Sequence, residues 1–255
     1  ICPTPVGAQV LRQAKEVLAQ ADSIKDIVEE EKHSLNGTFR VGILPTIAPY
    51  LLPRFFPQLM KKYPTLDIRV REMKTHEIKE ALLQGDIDAG ILAQIEGLEE
   101  YEQTHLFYEK YEGYVSREDA LFAKETLRTS DVASSRDLWL LDEGHCFRDQ
   151  MVRFCQMKSS QTSQLAYNLG SMETFMRMVE SGKGITFIPE LAVMQLSGEQ
   201  KELVRPFAIP VPTRQLILIT NRNFIRQTLL DVIVKEIQAS VPKEMLKMKA
   251  GQSLV

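Results

Sequence analysis

The chain opens on a helical pattern. Val10, Leu11, Ala14, Val17, Leu18, Ala21, Ile24 and Val28 recur every three or four positions, and Lys and Glu occupy the rest. The spacing predicts one long amphipathic helix from about Val6 to Leu35, closed by Asn36-Gly37. Its apolar stripe has no neighbour nearby in sequence and fits pairing with the same helix of a second copy; packing on its own domain is the other reading. From Thr38 the period changes. "TFRVGIL" reads as a strand, "LLPRFFPQLMKKY" as a helix, "LDIRVREM" as a strand and "THEIKEALLQG" as a helix with Thr75 at its N-cap; "IDAGIL" is the third strand. Strands alternating with helices imply a parallel sheet with crossover connections. "YEGYVS" opens a second series, continued by "DLWLLD", a cysteine-bearing helix, "SQLAYNL", the helix "SMETFMRMVESG" and the strand "ITFIP". "RQLILIT" is a later strand and "FIRQTLLDVIVKEIQ" the closing helix. Two α/β units of similar size facing one another make a cleft where strand ends converge.

Composition agrees with a chain that buries a substantial core: 255 residues, 44% hydrophobic and 25% charged. A net charge of -3 argues against a nucleic-acid-binding face on the chain as a whole. The three cysteines, Cys2, Cys146 and Cys155, do not describe a secreted disulfide scaffold. With no signal peptide and no apolar run long enough for a membrane span, a cytoplasmic protein with no membrane partner is expected. Neither a GxGxxG nor a GxxxxGK[ST] loop is present, and no cofactor is expected. Gly182 and Gly184 suit a helix end and a tight turn. Arg205 and Arg214 fall in predicted turns and read as solvated charges.

The chemistry concentrates in "EGHCFRDQMVRFCQ", Glu143 to Gln156. The paired spacings of a metal site are missing, so no metal is expected. His145 beside Cys146 at a helix start points away from it, which weakens a catalytic dyad. Cys155, next to Phe154, fits a small buried hydrophobe. Cys146 sits at a helix N-terminus with Arg148 one turn away. Both features favour the thiolate, the form that attacks peroxide. If Cys146 to Cys155 is helical, nine rises of about 1.5 Å separate the α-carbons by about 13–14 Å. A disulfide needs about 4.4–6.8 Å, so any bridge between them unwinds the helix.

The stretches "GILPTIAPYLLP" (42–53), "EMKTHEI" (72–78), "DEGHCFRDQMVRFC" (142–155) and "GSMETFMRMVESGKGITFIPELAV" (170–193) resemble the regulatory region of peroxide-sensing members of the LysR-type transcriptional regulators. The resemblance covers nearly the whole chain, and the block carrying both cysteines is its most specific part. It implies an α/β fold of two Rossmann-like subdomains, as in periplasmic-binding-protein-like LysR effector domains, preceded by a long linker helix. The divisions are 1–36 for the linker, 37–110 with 215–245 for the first subdomain and 111–214 for the second. It implies that Cys146 is the peroxidatic and Cys155 the resolving cysteine of a reversible intramolecular disulfide. Thr46 and Thr75 then hold peroxide beside the thiolate, His145 is a pocket histidine, Arg148 a basic neighbour and Asp149 a proton-handling group. Ala166 stands where the family carries a further histidine, and any role of that histidine is lost. The implied partners are hydrogen peroxide, further copies of the chain, a thiol reductant and RNA polymerase. DNA is bound only through a winged helix-turn-helix that ends before Pro3. Such a protein is a regulator rather than an enzyme. The alternatives are a LysR-type effector domain for a small organic ligand, with incidental cysteines, and a thiol peroxidase.

Overall fold

The computed structural model describes residues 3–32, 35–135, 137–141, 145–157, 171–182 and 184–255. "SQLAYNL" and Ala166 lie outside them. The first helix, α1 (Pro5–Glu31), starts at Thr4, whose hydroxyl accepts from Gly7 N. Its far end is fastened to the body by Glu30, which accepts from the backbone N–H and hydroxyl of Thr228. Val10, Leu11, Val17, Leu18 and Ile24 on this helix are exposed, so the chain's own fold leaves the stripe uncovered.

The sheet begins with β1 (Gly37–Ile43), which leads through Thr46 into α2 (Ala48–Lys62). Then follow β2 (Leu66–Glu72), α3 (Thr75–Leu83) and β3 (Ala89–Ala93). β1 lies between β2 and β3 and is parallel to both, as expected of the crossover pattern. β4 is a single long strand (Tyr101–Val115) and corrects the expectation that "YEGYVS" opens a new series: that stretch is the end of β4. The polar residues between Tyr101 and Lys110 hid its first half. After it come α4 (Thr129–Ala133), α5 (Cys146–Phe154), α6 (Met172–Glu180), β5 (Ile185–Pro189), α7 (Glu190–Val193), α8 (Gly198–Lys201), β6 (Val204–Pro206), β7 (Val211–Asn221), α9 (Gln227–Ser240) and β8 (Gln252–Leu254). β7 pairs antiparallel with β3 and with the first part of β4, whose last residues pair with β5 and β6. β4 and β7 therefore run through both halves of the sheet order β2-β1-β3-β7-β4-β5.

Two further expectations are corrected. Among its described residues "DLWLLD" makes one isolated bridge, from Leu138 to Ile185, and no longer pairing. α9 does not close the chain: β8 follows and lies parallel to β7.

The cluster of buried residues is continuous from Phe39 on β1 to Met245 after α9. α3 sits close on the sheet because Gly42 and Gly90 leave room for Ile78. A Cβ on Gly90 would come 2.4 Å from Ile78 Cγ2, and one on Gly42 3.1 Å from Ile78 Cγ1. Gly90→Ala is expected to destabilise by about 1–3 kcal/mol through overpacking and to lower Tm by several degrees. Gly198→Ala, whose Cβ enters open space, is the control. Equal melting curves for the two variants would show that α3 is not held in this way.

Candidate functional site

The C-terminal ends of β1, β2 and β3 carry Thr46, Thr75 and Gln94, the edge of a parallel sheet where ligands commonly bind. The N-terminus of α5 meets them from the other half of the chain. Cys146 is its first residue and is buried; His145 is the N-cap and is also buried, with its carbonyl accepting from Arg148 N at 3.0 Å. The expected helix start at Cys146 is therefore observed.

Thr75 is not the N-cap of α3. Lys74 holds that place, and its N–H donates to Glu77 Oε2 at 2.6 Å. Thr75, one residue further in, is buried, and its hydroxyl has no hydrogen-bond partner among the described residues of the resting fold. The side chain stands beside the Cys146 sulfur, where the hydroxyl draws the thiol pKa down. Thr46 is engaged differently: its hydroxyl and its carbonyl accept from Arg214 Nη1 and Nη2 at 3.1 and 3.0 Å.

Arg214 corrects the sequence reading most sharply. It lies inside β7, 1% exposed, where a solvated turn charge was expected. Its Nε and Nη2 donate to Glu109 Oε2 at 3.0 and 2.8 Å. Glu109 Oε1 accepts from Leu191 N at 2.9 Å. The guanidinium carbon lies 5.3 Å from the Phe147 ring centre and 5.7 Å from that of Tyr111. Arg205 is no free surface charge either. It lies on β6 with its guanidinium donating to Phe122 O and stacked 4.3 Å from the Phe122 ring.

Burial pushes the Cys146 thiol up, against the lowering expected of a helix start. Arg214, the Thr75 hydroxyl and the Phe147 N–H pull it back, and Asp149 adds to the rise. The largest lowering influence on the sulfur is thus the charge of Arg214, while Arg148 Nη1 lies 4.0 Å from Asp149 Oδ1. The Asp149 carboxylate is about half exposed. Cys155 caps the far end of α5, with its N–H donating to Met151 O at 2.9 Å. Burial alone pushes its thiol up to about 12. Both thiols are free. The structure gathers Cys146, Thr75 and Thr46 with Arg214. It leaves Cys155 at the opposite end of α5, with Arg148 and Asp149 on the helix's first turn.

Sequence reasoning missed Arg214, Glu109, Tyr111 and Gln150. A signal existed for Arg214 and Glu109, since each is a charge adjoining a strongly apolar strand pattern. No group of His, Cys, Asp and Glu suited to a metal occurs among the described residues. No helix among them is long and apolar enough to cross a membrane.

With this geometry in place, comparisons with known proteins are decisive. Residues 32–241 match the family described as LysR substrate binding domain. A hydrogen peroxide-inducible genes activator of Dickeya chrysanthemi is 30% identical over 216 residues, covering 85% of this chain and 70% of the relative. The DNA-binding transcriptional dual regulator OxyR of Escherichia coli K12 matches to the same extent. The crystal structure of OxyR from Porphyromonas gingivalis superposes with a TM-score of 0.79 at 50% identity, covering 86% of this chain and 99% of that one. The chain belongs to the LysR family of transcriptional regulators, in its OxyR group.

Proposed function

We propose that this chain is the hydrogen peroxide-sensing regulatory unit of a DNA-binding transcription regulator, switched by a reversible disulfide between Cys146 and Cys155. The observation that carries the reading is the meeting of the Cys146 thiol with the Arg214 charge and the unengaged hydroxyl of Thr75 at one buried point. The Cys146 thiolate attacks one oxygen of the peroxide, the O–O bond breaks, and the leaving hydroxide takes a proton to become water. Cys146 is left as a sulfenic acid. Cys155, as thiolate, attacks that sulfur and displaces hydroxide, which leaves as a second water. Two thiols have then lost two electrons and two protons to one peroxide. A dithiol reductant returns them.

Thr75 donates to the developing charge on sulfur and oxygen, and Arg214 stabilises it at short range in a low dielectric. At the helix start His145 is the pocket histidine, Arg148 a basic neighbour on the first turn, and Asp149 the group that handles protons during peroxide cleavage. Bridging demands that α5 unwind, since its ends stand about 13–14 Å apart as a helix. Its far end closes in a Schellman turn, with Gln156 N donating to Arg153 O at 3.1 Å and Met157 N to Val152 O at 3.0 Å. Gln156, just past it, is held at φ 51°, a left-handed conformation that costs a non-glycine residue about 1–2 kcal/mol. The rearrangement re-aims a DNA-binding region attached ahead of α1. RNA polymerase is the further partner of such a regulator. An organic-acid effector fits less well, because the buried guanidinium is already committed to Glu109 and Thr46.

Peroxide kinetics with Cys146→Ser and Cys155→Ser test the assignment. The first is expected to abolish the fast reaction, and the second to leave it but stop at the sulfenic acid. Because the Cys146 thiol is pushed up, its rate should go on rising with pH from neutrality into the alkaline range, as the thiolate fraction grows. A plateau below neutrality, or parent rates for Cys146→Ser, would sink the assignment.

The two threonines should separate. Thr75→Val removes no bond from the resting fold and should leave stability within about 0.5 kcal/mol while slowing oxidation about 10²-fold. Thr46→Val strips an acceptor from a buried cation and should cost about 1–3 kcal/mol as well. Comparable stability losses at both sites would assign both to structure.

The exposed stripe of α1 is read as a self-association surface. Val10→Lys combined with Leu18→Lys should lower the mass measured by light scattering while leaving the melting curve of the body unchanged. A mass unaffected by both charges would count against the pairing.

A further inference from the structure

After α9 the chain folds back over the sheet. A 3₁₀ turn at Lys243–Leu246 buries Met245, and β8 then runs parallel to β7 beside Val211, Pro212 and Thr213. Val211 N donates to Gly251 O at 2.8 Å, Val255 N donates to Thr213 O at 3.2 Å, and the Val255 side chain packs against the core. Three residues make a short strand, and short edge pairings need support from elsewhere. Here the support comes from the cysteine helix. Gln150 Nε2 donates to Val255 O at 2.9 Å and to Gln94 O, just past β3, at 3.4 Å. Gln150 Oε1 accepts from the Tyr111 hydroxyl on β4. One buried side chain of α5 thus joins β3, β4 and β8.

Gln150 stands four residues after Cys146 and five before Cys155, in the middle of the segment that a disulfide must unwind. Two of its partners, Tyr111 and Gln94, lie on β4 and just past β3 in the body of the sheet, and a displaced helix cannot keep them together with Val255. A buried amide stripped of partners is costly, so the set is made or lost together.

We propose that Gln150 is a latch that fastens the C-terminal strand β8 to the cysteine helix in the reduced protein, and that oxidation releases it. The trigger rests on the Cys146–Cys155 reading above; the latch rests on the reduced geometry alone. Release uncovers the Val211–Thr213 edge of β7, immediately before Arg214. The redox state of the thiols is thereby written at a second place, the C-terminal edge of the sheet.

Hydrogen–deuterium exchange read by mass spectrometry tests this on four samples: the reduced protein, the peroxide-treated protein with its disulfide verified by peptide mapping, and reduced Gln150→Leu and Gln150→Glu. The glutamate variant keeps size and an acceptor for Tyr111 but sets carboxylate oxygens against two carbonyls. Exchange at 252–255 is expected to be at least about tenfold faster in the oxidised protein and in both variants than in the reduced parent, with β1 and α2 unchanged. Unchanged protection of 252–255 in the verified disulfide form, or in both variants, overturns the latch. If a variant loosens β1 and α2 as well, it has unfolded as a whole, and the oxidised sample decides. If peroxide produces no disulfide, the sensing reading falls, and the two reduced variants decide the latch by themselves.

Discussion

The Arg214–Glu109 ion pair is the constraint around which the rest is arranged. Both side chains are almost wholly inside the protein, and two charges taken out of water repay their desolvation only with complete hydrogen bonding. That requirement is met by drawing in four separate elements. β7 supplies Arg214, β4 supplies Glu109, the turn after β1 supplies the hydroxyl and carbonyl of Thr46, and α7 supplies the Leu191 N–H. The rings of Tyr111 and Phe147 cover the guanidinium and keep water from it. A pair satisfied in this way fixes the two long strands against one another and sets where the cysteine helix docks.

The same pair sets the chemistry. A thiol buried in apolar surroundings resists ionisation, and Cys146 by its burial alone would be an inert core residue. The fixed guanidinium opposes that burial without being free to swing out to a ligand. In the resting site burial pushes the Cys146 thiol up, while a charge and a hydroxyl beside it favour its thiolate. The Thr75 hydroxyl, which has no hydrogen-bond partner among the described residues, fits this description. It is a polar group held unsatisfied in the resting fold and usable when negative charge develops beside it. Among the described residues Cys155 shows no such neighbours, and burial raises its pKa.

The cysteine helix is poised rather than robust. Nine residues are too few for an isolated helix to be stable, so α5 is held by its tertiary contacts. Phe147 packs against Tyr111, Phe154 against Phe207, and Gln150 reaches β3, β4 and β8. These contacts hold the two thiols apart along the helix, and a bond between the sulfurs competes with all of them. A short helix between two cysteines, pinned by a few specific contacts, suits a two-state switch better than a catalyst that must turn over quickly.

Most of the local elements and their order are legible in the pattern of residues along the chain. Apolar spacing every three or four residues marked α1, α2, α3, α6 and α9, and short apolar runs between turn residues marked β1, β2, β3, β5 and β7. It also identified the block from Cys146 to Cys155 as the chemically distinctive stretch, because two cysteines amid His145, Arg148 and Asp149 are unusual in an otherwise ordinary α/β pattern. The first half of β4 escaped because its polar residues do not alternate clearly, and β8 because three residues carry no period. The charge that lowers the thiol pKa most was settled by the packed fold alone. Arg148 is near Cys146 along the chain, whereas Arg214 is 68 positions away and arrives through the antiparallel pairing of β7 with β4. Burial, which raises the thiol's pKa and makes Glu109 essential to Arg214, is a property of the packed interior. No local pattern encodes it, because each of these residues is made costly or useful by neighbours that only the sheet brings together.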